Sequence, residues 1–461
     1  MRIKVKNLGA LKQAEFTLGD LTIVCGCNNT GKTYATYALF GFLYTWRQVF
    51  HITIDPNRIS QLIAEGVMHL DINEYIEDAE KIINRGNQAY TKQLSKIFAA
   101  PSERFKETEF QAIPNIQDIN LTGKFERRMR STNTEIFSIT KNEESAILVV
   151  TLLANKENNR IPPNILEDVI EDAIKDVVFA QLFPRAFIAS TERTGATIFR
   201  KELNFARNRL LEELGQVDKD IDHMELLFKD YEDYALPIKA NVDFIRQLET
   251  IVKKSSFIAE SHPDILKDFA SIIGGSYNVT RNNELYYVPQ DKRIKLPMDE
   301  SSSAVRSLLD IGFYLRHEAQ QGDLLMIDEP ELNLHPENQR RVVRLFARLV
   351  NIGIKVFITT HSDYIIKELN TLIMLNRNKP HLKRIADAEG YRSEELISAS
   401  NIKVYIAQES LVMLDGKTKR TNIQTLVPAD IHSEMGIKAE SFDQTIETMN
   451  RIQDEIIWGE D

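Results

Sequence analysis

The chain has 461 residues, 43% hydrophobic and 27% charged, with 57 Lys and Arg against 67 Asp and Glu for a net charge of −10. This composition excludes a disordered chain, a collagen-like repeat and a disulfide scaffold, and the length allows several domains of about 100–200 residues each. The acidic balance excludes a protein that coats nucleic acid or anionic membranes by bulk charge, but leaves room for a local basic strip.

In chain order, the N-terminus reads as strands: Ile3-Lys-Val alternates, 14–18 follows a turn at Gly9, and Leu21-Thr-Ile-Val-Cys is a short β-rich run. The two cysteines, Cys25 and Cys27, are too close for a strain-free disulfide and have no second thiol pair to complete a zinc site, so reduced thiols are expected. The start lacks the apolar run of a signal peptide, and the longest apolar stretch, 37–46, is too short to span a bilayer. A soluble, cytoplasmic protein without a membrane partner is therefore expected.

Residues 33–47 suit a buried helix. Further on, 164–179 reads as a helix capped by Asn164, with Ile165, Val169, Ile170, Ala173, Ile174 and Val177 on one face. Ala186-Phe-Ile-Ala is a strand after Pro184, and 202–214 and 218–252 are helical in composition. Segments 285–289 and 293–297 form a predicted hairpin, and beyond 300 the order is helix, strand, helix, strand. Near the end, 402–427 reads as strands around Asp415-Gly416. Ser441 and Gln444 then open a final helix through a capping box, with Phe442, Ile446, Met449 and Ile456 as its stripe. That stripe fits internal packing or a docking face.

Three segments carry chemistry. Gly26-Cys-Asn28-Asn29-Thr30-Gly31-Lys32-Thr33 fits G-x-x-x-x-G-K-[ST] between a predicted strand and a predicted helix. The glycines let successive N–H groups face phosphate oxygens, the helix start adds its positive end, Lys32 reaches the β/γ-phosphates and Thr33 ligates Mg²⁺. Leu324-Leu-Met-Ile-Asp328-Glu329 is an apolar strand ending in two carboxylates. Asp328 is placed to hold Mg²⁺ through water and Glu329 to polarise the attacking water. A third apolar strand, starting at Ile354, ends at Thr360-His361-Ser362, where His361 is placed to hydrogen-bond the γ-phosphate or the water.

Together these segments resemble the ATP-binding-cassette (ABC) ATPases, in particular the branch holding SMC, Rad50 and the OLD-type bacterial nucleases. Asp328-Glu329-Pro330 is similar to the Walker B end, Glu331-Leu-Asn-Leu-His335-Pro336 to the D-loop, and Thr360-His361 to the switch histidine. Upstream, Glu300-Ser301-Ser302-Ser303 matches the place of the family signature with serines in place of the usual glycines. It reads as a phosphate contact or as a serine-rich helix cap. Ser190-Thr-Glu-Arg193-Thr-Gly195 resembles a nucleotide-proximal loop of OLD-like ATPases, or is an ordinary turn.

The resemblance implies an α/β fold: an ABC-type P-loop ATPase head with a mixed α+β, largely helical insertion between Walker A and the signature. The expected segments are 1–50 (N-terminal lobe), 51–284 (insertion with a helical arm), 285–390 (C-terminal lobe with signature, Walker B and switch histidine) and 391–461 (β-hairpin and helix suited to partner docking). It further implies ATP and Mg²⁺ as cofactors. The signature of one copy would close on the nucleotide of another, giving a homo-oligomer that is at least a head-to-tail dimer.

What the ATPase controls is read from likeness. A TOPRIM nuclease needs a glutamate and paired aspartates on successive strands, and Asp415 and Asp430 stand apart in the sequence. The chain resembles the ATPase subunits of two-component bacterial antiphage systems, PtuA of Septu or AriA of PARIS. That resemblance implies a separately encoded nuclease effector, and DNA or a phage-derived molecule as trigger. The alternative is a Rad50/RecF-type repair ATPase that binds duplex DNA directly; an ABC transporter ATPase is disfavoured by the long insertion and the serine-only signature. On the predicted helix after Pro336, Arg340, Arg344 and Arg348 repeat every four residues, as a solvated face or as a phosphate or subunit contact. Lys379, His381, Lys383 and Arg384 add a second basic cluster.

Overall fold

The computed structural model describes residues 1–131, 134–153, 162–199, 234–280, 284–290, 294–438 and 440–458. The helical stretch expected at 202–214, and 218–233 of the next, lie outside the described residues. The strands are β1 (Arg2–Leu8), β2 (Leu11–Thr17), β3 (Leu21–Cys25), β4 (Val67–Asp71), β5 (Glu109–Ile113), β6 (Phe125–Ser131), β7 (Thr134–Lys141), β8 (Ile147–Leu152), β9 (Ala186–Ala189), β10 (Gly275–Val279), β11 (Leu285–Pro289), β12 (Leu296–Pro297), β13 (Leu324–Asp328), β14 (Lys355–Thr360), β15 (Ile402–Met413) and β16 (Arg420–Pro428). The chain forms two compact units, one from Met1–Lys4, Phe42–Gln93 and Glu109–Pro184, the other from Val5–Gly41, Leu94–Thr108 and Arg185–Asp461.

In the first unit, an antiparallel sheet runs in the order β4-β8-β7-β6. Its period-2 alternation buries Met68, Leu70, Phe137, Ile139, Leu148 and Val150. Helix Pro163–Val178 buries Leu166, Ile170, Ala173, Ile174, Val177 and Val178. Its start differs from expectation: Pro163 sits at the first helical position, where its fixed φ favours the helix, and no side chain caps it. The buried stripe is accordingly set by Leu166, and Ile165 is exposed. Aromatic rings fill the interior, with Phe42–Phe183, Trp46–Phe183 and Phe50–Phe179 centroids 5.3, 5.2 and 5.5 Å apart.

The second unit is built on a six-stranded sheet, β16-β15-β3-β14-β13-β9. The pairs from β15 to β9 are parallel, and β16 alone runs antiparallel, against β15. β3 and β13 are buried at every residue, as a sheet covered on both faces demands. The strands expected around Asp415-Gly416 are β15 and β16, and β15 pairs directly with β3. The expected 285–297 hairpin is a three-stranded meander in which β11 pairs mainly with β10. Gly274, at φ +68°, ends helix Pro263–Ile273 and turns the chain straight into β10. Registers align the ends of the parallel strands: Cys25 lies opposite Thr360, Asp328 opposite Thr359, and Ala189 opposite Ile327. Residues 26–33, 190–193, 328–331 and 360–362 therefore emerge from one edge, the ligand edge of an open α/β sheet.

Candidate nucleotide site

The phosphate loop follows β3 and opens helix Lys32–Val49. Gly26 (φ +134°) and Gly31 (φ +95°) hold left-handed backbone, and a Cβ at Gly26 would sit 2.7 Å from the Ala407 carbonyl oxygen of β15. Asn29 also has positive φ, at +63°. Thr30 Oγ1 donates to the Cys27 carbonyl at 2.8 Å, while Asn28 and Thr33 are exposed. Lys32 is buried and its Nζ donates to the carbonyls of Gly26 (2.9 Å) and Cys27 (2.7 Å), which leaves one N–H. Both cysteines are free thiols; burial pushes the Cys25 thiol up to about 12, so it stays protonated and inert.

The acidic corner lies two strands away. Asp328 is 1% exposed, accepts a hydrogen bond from the Thr359 hydroxyl through Oδ1, and leaves Oδ2 buried without a partner. Burial, opposed by Thr359 and aided by Glu329 and Glu192, pushes its carboxyl up to about 6. Glu329 has φ +51°, a conformation that costs a non-glycine residue about 1–3 kcal/mol. Its N–H donates to Thr359 O (3.2 Å) and Oγ1 (3.1 Å). His361 Nδ1 stands 3.4 Å from Glu329 Oε1 and 3.4 Å from Glu331 Oε1.

Three residues of this corner had no definite role in the sequence. Buried Glu331 accepts from the Thr360 hydroxyl and the His361 N–H, both at 2.8 Å, and so fixes the end of β14. Glu192, after β9, accepts from Tyr37 OH at 2.9 Å and shares its charge with the surroundings of Asp328. Arg193, open between a nucleotide loop and a turn, is 1% exposed and donates only to backbone carbonyls: Ser307, Ser190, Asp328 and Glu329. Apart from Ser190, the Glu331 and Arg193 partners lie far off in sequence, and the one local signal was the carboxylate two residues past Glu329.

The donor set fits a magnesium nucleotide. Asp328 offers an unpartnered buried oxygen, Thr33 an exposed hydroxyl at a helix start, and the loop glycines a cradle that a Cβ would fill. Among the described residues no group of three or more His, Cys, Asp and Glu forms a metal cage. Mg²⁺ at phosphate sites does without one, held by one or two protein oxygens, water and the phosphates.

The three serines are placed unequally. Ser301 is buried and its hydroxyl donates to the Met298 carbonyl at 2.7 Å. Ser302 is exposed and caps helix Ser303–Ser307, accepting from the Val305 N–H; Ser303 is exposed beside it. The arginine ladder is neutralised within the chain. Arg340 and Arg344 share Glu368 (2.7 and 2.6 Å), and Arg348 pairs with Asp264 and Asp268. Of the final helix, Met449 and Ile456 are exposed (55% and 77%), so neither is packed internally. Among the described residues no helix is long and apolar enough to cross a membrane.

Comparison with solved structures returns SMC head domains: one bound to the C-winged helix domain of ScpA (11% identity, 92% of this chain and 97% of that chain, TM-score 0.32) and one from Thermotoga maritima (9%, 93% and 98%, 0.30). A third, with an extended coiled coil and bound to the C-terminal domain of Pyrococcus furiosus ScpA, gives 13% identity, 98% coverage of each chain and a TM-score of 0.29. Scores of this size leave the assignment to the site and to family membership. No curated protein matches the sequence. Residues 1–366, from before the phosphate loop to just past His361, match the AAA ATPase domain family AAA_15. That match spans more than half of the 461 residues, and the chain belongs to this family: it is a P-loop ATPase.

Proposed function

We propose that the chain is the ATP-hydrolysing regulatory subunit of a two-component antiphage complex, acting as a head-to-tail oligomer that controls a separately encoded nuclease or toxin. The observation that carries the enzymatic core is the acidic corner, where an unpartnered Asp328 oxygen, Glu329 and His361 converge at one strand edge. Lys32 and the loop N–H groups from Gly26 to Thr33 hold the phosphates, and Thr33 and Asp328 hold Mg²⁺, which when bound neutralises charge on the β- and γ-oxygens. Glu329 takes a proton from the attacking water. The water oxygen bonds to the γ-phosphorus as the bridging P–O bond breaks, and ADP leaves with that electron pair. His361, held by Glu331, keeps a polar contact beside Glu329. Ser302 and Ser303, exposed at a helix start, supply phosphate donors to the nucleotide of a second copy.

The two-component reading rests on a general likeness to antiphage ATPase subunits and on a sequence in which Asp415 and Asp430 stand apart and form no TOPRIM pattern. Direct duplex-DNA binding is the alternative, and the pairing of the Arg340, Arg344 and Arg348 guanidinium groups with carboxylates weakens its sequence support. The core is tested by Lys32→Ala, expected to lower affinity for a fluorescent ATP analogue roughly tenfold to a hundredfold. Glu329→Gln is expected to cut ATP turnover by roughly 10²–10⁴ and to collect ATP-bound oligomers by light scattering; full turnover in that variant would remove the general base. The regulatory reading is tested by co-expression with the product of the neighbouring gene. A partner that binds in all nucleotide states, with unaltered activity, would count against it.

A further inference from the structure

The Arg193 guanidinium ties together three segments of the chain. Its Nε donates to the Ser307 carbonyl (2.7 Å), Nη1 to those of Ser190 (2.7 Å) and Asp328 (2.8 Å), and Nη2 to that of Glu329 (2.9 Å). Ser307 ends the short helix that Ser302 caps; Ser190 follows β9; Asp328 and Glu329 end β13. The β9 end is itself immobilised, because Asn241 accepts from the Ser190 N–H and donates to the Ile188 carbonyl. A guanidinium is a rigid planar fork with five donors, so an acceptor that moves at one prong turns the plane and displaces the others. With the Ser190 prong anchored, motion of the serine helix is passed to the peptide of Glu329. That residue sits at a strained φ of +51° and is otherwise held at its N–H by Thr359 and at its carbonyl by the Leu332 N–H (3.2 Å).

We propose that Arg193 is a positioning residue that couples the serine segment to the general base. Engagement of Ser302 and Ser303 shifts helix Ser303–Ser307, its last carbonyl carries the Arg193 plane, and the plane sets the direction of the Glu329 carboxylate. Hydrolysis is thereby made conditional on the second copy's nucleotide. Burial lowers the pKa of the Arg193 guanidinium, and the nearby carboxylates of Asp310, Asp328, Glu331 and Glu329 oppose that shift. This inference rests on the assignment of Glu329 as base and of Ser302 and Ser303 as phosphate donors.

Arg193→Lys tests it, since lysine keeps the charge and loses the fork. Expected is a Kd for a fluorescent ATP analogue within about twofold of the parent and a kcat lower by roughly tenfold to a hundredfold, the scale of a misplacement near 1 Å. The double substitution Ser302→Ala with Ser303→Ala should also lower kcat, and combining it with Arg193→Lys should add nothing further, as for residues acting through one link. Effects that multiply, or an undiminished kcat in Arg193→Lys, would overturn the coupling. If Arg193→Lys does not fold, hydrogen exchange decides instead. In the Glu329→Gln protein, ATP should alter protection of segments 190–195 and 328–331 only while Ser302 and Ser303 are intact, and a change that survives their replacement overturns the proposal. Full turnover by Glu329→Gln would remove the base assignment itself, a result distinct from multiplying Arg193 and serine effects.

Discussion

Arginines serve two regions of this molecule in opposite ways. On helix Pro336–Asn351, Arg340, Arg344 and Arg348 recur every four residues, and each is met by carboxylates of another element: Glu368, Asp264 and Asp268. After β9, Arg193 is wholly buried and donates its hydrogen bonds to carbonyl oxygens, with no carboxylate among the described residues bound to it directly. Charge pairs weld helices together and are indifferent to small shifts of backbone. A fork on four carbonyls fixes the path of the main chain itself. The ladder is thus a matter of stability, and Arg193 a matter of geometry at the reacting edge.

The largest effect that could break this contrast comes from Glu368→Ala. Glu368 is 3% exposed and accepts from Arg340 Nε and Arg344 Nε, so its removal leaves two guanidinium groups facing a buried gap. A loss of about 3–5 kcal/mol in unfolding free energy is expected, measured by denaturant titration, with turnover per folded molecule unchanged. A fall in turnover without a fall in stability would place the ladder in the reaction and erase the distinction.

Next comes the charge beside Arg193. Asp310 is fully buried, neither oxygen has a hydrogen-bond partner, and burial, only partly offset by Arg193, pushes its carboxyl up to about 7. Arg193 faces it from helix Arg193–Ile198 and the Tyr277 phenol from β10. The folded chain therefore holds a proton that the unfolded chain has released above about pH 4. Stability contributed by the protonated form is present at low pH and lost as pH rises toward 7, beyond which the slope vanishes. The ceiling for this loss is about 4 kcal/mol. Asp310→Asn should flatten the fall in melting temperature between about pH 4 and pH 7; an identical pH profile would show that Asp310 does not titrate in that window.

These contrasts explain which features can be read from sequence. Gly26 to Thr33 is contiguous, and its demands on backbone and side chain are local, so the phosphate loop was legible in full. The acid pair and the switch histidine were legible because each closes an apolar strand. Glu331 and Arg193 were not, since all their partners but Ser190 lie 29 to 136 residues away and no periodicity registers a single long-range contact. The ladder's period was visible while its carboxylates, 24 to 84 residues distant, were not, so its neutrality could not be seen. An amphipathic stripe has the same period whether covered or bare, which is why Met449 and Ile456 left two readings open. The β4-β8-β7-β6 sheet was hidden for a related reason: short alternating strands acquire meaning only once paired.

The smallest expected effect is the sharpest discriminator of the duplex-DNA alternative. A protein that neutralises a backbone phosphate releases counterions, and each such contact steepens the log–log salt dependence of binding by about 0.9. Arg340 is the ladder member most open to solvent, its side chain 37% exposed, and the one best able to reach a phosphate. Its Nε donates to Glu368, Nη1 to Glu337 and Nη2 to Tyr391 OH, so a phosphate would have to displace partners already in place. Arg340→Gln is therefore expected to leave the salt slope for a labelled duplex unchanged by fluorescence anisotropy, and to cost less stability than Glu368→Ala, because buried Glu368 keeps its bond from Arg344. A slope shallower by about 0.9 would mean that DNA opens the Arg340–Glu368 pair. The ladder would then be a nucleic-acid contact held shut in the unbound protein, and the arginines of the two regions would differ in timing instead of in kind.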